Sequence, residues 1–194
     1  FLLALTFLFL FSGSSVVFGD DLQDARNAWD TKDYKTALKL YLPFAEKGNW
    51  EGQLILGYLY EGGHGVPKNY KEALKWYQLA AEQGSALAQY STGVFYKEGL
   101  GVPQDYKEAV KWFHLSAEKG NDDAQDYLGF MYSNGLGVPQ NYKEAVKWHK
   151  LAAKQGNVSA MTDLGSSYGN GQGVPKDYKE AVKWGKIAAE KGSN

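Results

Sequence analysis

Gly-Val-Pro occurs four times, at 65–67, 101–103, 137–139 and 173–175, and each occurrence follows the last by 36 residues. The same step joins Tyr70, Tyr106, Tyr142 and Tyr178, and it joins Trp76, Trp112, Trp148 and Trp184. It also links Gly57, Gly93, Gly129 and Gly165, then Tyr60, Tyr96, Tyr132 and Tyr168, then Gly84, Gly120, Gly156 and Gly192. A fixed period of this size marks a solenoid, propeller or array, in which one unit cannot bury its apolar face without its neighbours. That constraint outranks every local propensity in the chain.

Each copy reads as two helices. In the second copy Ser85 is a natural N-cap, and Ala88, Thr92 and Tyr96 follow at i, i+4, i+8 on one face. The stretch Gly99-Leu100-Gly101-Val102-Pro103 ends that helix, because glycine permits positive φ and proline removes a donor. Asp105 then caps a second helix, with Glu108 three residues on as in a capping box; Asn69/Glu72, Asn141/Glu144 and Asp177/Glu180 repeat the pair. Gly120 stands where a helix C-terminus takes a left-handed residue. Nothing within the period alternates as a strand does, so the chain is expected to be all-α.

Residues 20–48 read as a degenerate copy: Tyr34, Ala37 and Gly48 precede Tyr70, Ala73 and Gly84 by one period, but the Gly-Val-Pro loop is missing. This unit is expected to cap the N-terminal end as a tetratricopeptide-like pair. Regular repeats then occupy 49–84, 85–120, 121–156 and 157–192, giving a helix-pair solenoid of about ten helices. Repetition also accounts for the 23 glycines and 14 tyrosines.

The run Ala-x-x-x-Leu-Gly-x-x-Tyr, then Gly-x-Gly-Val-Pro, then Asp/Asn-Tyr-x-Glu-Ala-Val-Lys-Trp, then Ala-Ala-x-x-Gly, resembles the Sel-1-like repeat over about residues 49–192. Local departures are Gly52 for Ala, Thr92 for Leu, Ser116 for Ala, and His64 in the first loop. The resemblance implies a right-handed α/α superhelix used as an adaptor or scaffold, often exported in bacteria and engaged in envelope regulation or host contact. The alternative the resemblance implies is a small-ligand-binding secreted protein, since some cysteine-rich secreted relatives are credited with weak β-lactam binding or hydrolysis. Those carry a disulfide in each repeat, whereas this chain has no cysteine.

Positions shared by all copies are expected to serve packing or turns, so the tryptophan row reads as inter-helix core. Lys71/Lys75, Lys107/Lys111, Lys143/Lys147 and Lys179/Lys183, each beside a glutamate, read as a solvated outer face. Function is sought where the copies differ. On the first helices, Trp50, Ala86, Asp122 and Val158 form one row, Leu54, Tyr90, Asp126 and Thr162 the next, and Tyr58, Val94, Phe130 and Ser166 a third. First helices line the concave side of helical-pair solenoids. Trp50, Tyr58, Tyr90, Asp126 and Phe130 are therefore the candidate groove for a protein or peptide partner, since aromatic anchors beside an acid suit such a ligand. Drift at tolerant surface positions is the other reading of the same variation. Alanine at Tyr90 or Asp126 is expected to leave stability nearly unchanged.

The near-balance of 21 basic and 22 acidic side chains argues against a nucleic-acid footprint. His64, His114 and His149 do not recur and have no histidine partner at metal spacing. Asp122, Asp123 and Asp126 cluster at a helix start, which favours carboxylates without any ion. No nucleophile elbow, phosphate loop or Ser-x-x-Lys is present, so neither catalytic residue, cofactor nor metal is expected. At the N-terminus Phe1–Phe11 is an apolar run too short to span a bilayer and of signal-peptide length. With Val17-Phe18-Gly19 offering a cleavage site before Asp20, residues 1–19 are read as a signal that begins within itself, an uncleaved anchor being the alternative. Export to a periplasm or the extracellular space follows, with no membrane insertion after cleavage. At the other end Val182 and Ile187 have no evident cover, which makes self-association through the C-terminal face the second partner expectation.

Overall fold

A computed structural model describes the backbone over residues 18–192 and side chains over residues 21–192; most of the apolar segment read as a signal lies outside the described residues. Ten helices follow one another, α1 (Phe18–Asp30), α2 (Tyr34–Glu46), α3 (Trp50–Gly62), α4 (Tyr70–Glu82), α5 (Ala86–Glu98), α6 (Tyr106–Glu118), α7 (Asp122–Asn134), α8 (Tyr142–Gln155), α9 (Val158–Asn170) and α10 (Tyr178–Gly192). No strand occurs among the described residues. Each helix packs on the one before and the one after, and α7 also touches α9, both of them first helices. This is the nearest-neighbour architecture of a helix-pair solenoid.

The loop explains why two glycines recur. Gly63, Gly99, Gly135 and Gly171 are left-handed C-caps of the first helices, at φ of 66 to 73°. The glycine two residues later is also left-handed, and it presses on the preceding repeat. A Cβ on Gly101 (φ 68°) would stand 2.7 Å from the Tyr70 carbonyl carbon and the Lys71 nitrogen. Each loop thereby docks on the start of the second helix one repeat earlier.

The capping box forms by half. Asn69, Asp105, Asn141 and Asp177 accept backbone N–H groups of their own first turns, as expected. Their own N–H groups, which the glutamates would take in a full box, instead donate to the carbonyls of Tyr60, Tyr96, Tyr132 and Tyr168 at 2.8 to 2.9 Å. The glutamates are released to pair with Lys75, Lys111, Lys147 and Lys183 on the solvated face. That contact with the preceding helix satisfies the donor and fixes the angle between the two helices of a pair.

Inside, α4, α6 and α8 each lay a ring over a first-helix glycine. Tyr77, Phe113 and His149 are 2 % exposed or less, and a Cβ on Gly57, Gly93 or Gly129 would fall 2.0 to 2.7 Å from their ring atoms. Trp76 is buried beside them, while Trp112, Trp148 and Trp184 are half-buried, with all four indole N–H groups shut away from solvent. The tryptophan row is thus packing, and the deeper row is the ring one position later. Gln53, Gln89 and Gln125 add a repeating polar tie, each donating to the carbonyl of Ala45, Ala81 or Ala117.

Candidate functional site

The five groove candidates fall in two places. Tyr58 on α3 and Tyr90 on α5 line one groove of about 390 Å³ with Leu54, Leu87, Val94 and Trp29, above a floor of Tyr77 and Phe95. Glu61 is its charged member and accepts a hydrogen bond from the Tyr77 hydroxyl at 2.5 Å. Trp50 borders an adjoining depression that shares Leu54 and Leu87 with the first. Trp50 is 48 % exposed, Leu87 52 % and Tyr58 42 %, so an apolar face continues across both hollows. Asp126 and Phe130 lie farther along the array, around α7, α8 and α9.

Two of the groove residues also carry structure. Tyr58 stacks on His64, whose other face meets Tyr34, with centroids 5.3 and 4.7 Å away, and Trp29 packs edge-on against both tyrosines. His64 therefore fastens the first loop to the N-terminal cap. Tyr90 leans on Phe113 and Tyr127, which stack at 5.0 Å and 4°. Burial pushes its hydroxyl well above the ordinary value. Tyr90 is half core, so its burial opposes the expectation that its truncation spares stability; Trp50 and Leu87, both about half exposed, are the better positions at which to change the groove. Leu87 escaped the sequence reading because the rows compared there skip its helix face.

His114 is also accounted for. Its Nε2 lies 3.2 Å from the Tyr132 hydroxyl, where the equivalent Gln78 donates to Tyr96 and the equivalent Lys150 sits over the Tyr168 ring. Three different side chains perform one inter-repeat tie.

His149 is isolated along the sequence but not in space. Its Nε2 stands 3.9 Å from Asp126 Oδ1 on α7 and 3.5 Å from Asp163 Oδ2 on α9. Its side chain is 2 % exposed, Asp126's 20 % and Asp163's 44 %. Neither imidazole nitrogen nor Asp126 Oδ1 has a hydrogen-bond partner, and all three atoms are buried. Burial, then the charges of Asp163, Asp123 and Asp122, push the Asp126 carboxyl up to about 7. Burial also lowers the His149 imidazole, against the opposing charge of Asp163 and the nearby Asp126 backbone, which does not reach hydrogen-bond geometry. Asp122 and Asp123, which opened the acidic cluster, turn away to accept from the Asn157 amide. A hollow of about 200 Å³ opens over His149 and Asp163, walled by Phe130, Ser133, Asn134, Ser166 and Gln172.

The array's own periodicity identifies what has changed here. Asp126, His149 and Asp163 occupy the positions of Tyr90, Phe113 and Tyr127 one repeat earlier. A trio of mutually packed aromatic rings has become an imidazole between two carboxylates. The signal was present in the sequence, but seeing it requires knowing that these three positions, on three helices, touch.

Five stretches of the chain match the Sel1 repeat: 30–49, 50–85, 86–121, 122–157 and 158–193. No curated protein shows a significant match. Among solved structures, a Sel1 repeat protein from Oxalobacter formigenes is 38 % identical with a TM-score of 0.84, over 89 % of this chain and 69 % of that one. A second, c5321, described as a protective antigen of uropathogenic Escherichia coli with an SLR fold, is 36 % identical with a TM-score of 0.86. It aligns over 90 % of this chain and 38 % of that one. A Sel1 repeat protein from Klebsiella pneumoniae, at 19 % identity and a TM-score of 0.57, shares the fold.

Proposed function

Since the chain belongs to the Sel1 repeat family, whose members generally mediate protein–protein interaction, we propose that it is a non-catalytic adaptor holding one protein partner on its first-helix face. The groove between α3 and α5 is the anchor. The observation that carries this reading is the exposed apolar face of Trp50, Leu87 and Tyr58 around a hollow of about 390 Å³. Large rigid side chains flanking a concave apolar surface bury area on binding at little entropic cost. The direct contact of α7 with α9 supports placing the first helices on the inside of the curve. The matching segment of the partner would present two or three apolar side chains spaced to enter the hollow, in an extended or helical stretch.

Action after export is part of the proposal, supported by the apolar run Phe1–Phe11; cell fractionation checks it, and an exclusively cytosolic pool would oppose it. A second surface is proposed at α10, for another copy of this chain. Val182 is 57 % exposed there, whereas its counterparts Leu74, Val110 and Val146 are 4 to 6 % exposed. Light scattering across a dilution series would show association, and a monomer at all concentrations would remove this surface.

The adaptor reading is tested by cross-linked capture from an envelope extract with the wild type and a Trp50→Ala/Leu87→Ala variant of equal melting temperature. A protein enriched on the wild type and lost on the variant is the expected outcome. Equal enrichment on both would move the site off this groove.

A further inference from the structure

We propose that Asp126, His149 and Asp163 form a binding site for one divalent first-row transition-metal ion, of which zinc is the natural probe. One ligand atom from each residue lies within 4.8 Å of the other two. Two ligand atoms each ~2.1 Å from a tetrahedral ion stand about 3.4 Å apart. The separations of 3.5 and 3.9 Å from His149 Nε2 are close to that edge.

A protonated histidine paired with these carboxylates is the competing account, and the geometry disfavours it. Charge-assisted hydrogen bonds close to about 2.7–2.9 Å, whereas both contacts here are longer and neither qualifies as a hydrogen bond. His149 is enclosed, with both nitrogens unpartnered, and its Nε2 edge is held over Gly129, where a Cβ would stand 2.1 Å away. An imidazole so buried and unsatisfied costs stability unless something completes it. The equivalent place in the preceding repeat is filled by Phe113 with ordinary packing, so the fold does not require a polar group there.

The donor set selects the ion. One imidazole nitrogen and two carboxylates suit zinc, cobalt or nickel, whereas calcium takes six to eight oxygen ligands. The hollow bounded by Ser133, Asn134, Ser166 and Gln172 leaves room for water to fill the remaining position. Helices α7, α8 and α9 each supply one ligand, so the ion would clamp two consecutive repeats.

The test uses the full chain without an affinity tag, stripped with chelator, then titrated calorimetrically with zinc and spectroscopically with cobalt. The expected result is one ion per chain, the visible absorption of a tetrahedral cobalt centre, and a raised melting temperature. Asp163→Asn, at a half-exposed position that leaves the core intact, should weaken zinc at least tenfold. His149→Phe should abolish binding, as should the triple change Asp126→Tyr/His149→Phe/Asp163→Tyr, which copies a ring trio that the preceding repeat already packs. Zinc binding that survives in His149→Phe or in the triple variant would overturn the site. So would the absence of heat, cobalt absorption and thermal shift at millimolar ion in a folded wild type.

Discussion

Replacing His149 by phenylalanine should stabilise the metal-free protein, and the structure sets the size of the gain. The imidazole is 2 % exposed and both of its nitrogens are buried without a partner. An unsatisfied buried polar group costs ~1–3 kcal/mol. Phenylalanine removes that cost, adds apolar surface to the interior, and finds a space already shaped for it: Phe113 occupies the equivalent site above Gly93 and stacks on Tyr127. Against this stands the misfit of a slightly larger ring beside Asp163 instead of Tyr127, which overpacking data put at ~1 kcal/mol or more. The net expectation is a gain of about 1–2 kcal/mol, or roughly 2–8 °C in melting temperature for a domain of this size. The assay is thermal unfolding by circular dichroism with chelator present. A melting temperature unchanged or lowered would refute the argument, because it would mean that the imidazole is held by interactions worth more than its burial costs. Phe113→His is the reciprocal control and should lose a similar amount.

Gly101→Ala should destabilise by about 2 kcal/mol or more, since it combines a positive φ with a backbone collision against Tyr70 and Lys71; chemical denaturation measures it. Phe113→Ala, at a site with no exposed surface, should cost ~3–5 kcal/mol, while Leu115→Ala on the same helix, 43 % exposed, should stay within ~0.5 kcal/mol. Glu51 supplies a pH dependence: hydrogen bonds from the Arg26 guanidinium hold its carboxyl below its ordinary 4.5, with Tyr41 also donating and Asp30 beyond it. A depressed folded value means stability fully present above pH 4.5 and lost as pH falls through the folded value. Glu51→Gln should therefore melt below the wild type at pH 7, and the gap should close in strong acid; a gap that persists there would assign the loss to packing.

Much of the fold was legible because the chain repeats itself. Positions fixed across copies are the ones geometry demands: the loop glycines that touch the previous repeat, the asparagine or aspartate caps, the tryptophan row. What the sequence hid was pairing at a distance. The glutamates of the capping box looked committed to the helix start, but the N–H they would have taken is claimed by the tyrosine carbonyl of the preceding helix. The rings at 77, 113 and 149 drew no notice because their identities differ, although their burial is the same.

The site shows the same limit more sharply. Comparing copies position by position finds Asp126 as one substitution among many and His149 as a histidine without a companion. The physical unit is the contact set, and each set here spans a first helix, the second helix after it, and the first helix of the next repeat. In one repeat that set is Tyr90, Phe113 and Tyr127, packed ring against ring within 6.1 Å. One period later the set is two carboxylates and an imidazole. Drift at tolerant positions explains single exposed changes well. It explains poorly a concerted change that includes a side chain with 2 % of its surface exposed, because an imidazole buried there alone would carry an uncompensated desolvation cost. The three make sense together, and what could hold them together is a cation, whose charge offsets the two carboxylates and whose coordination satisfies the nitrogen.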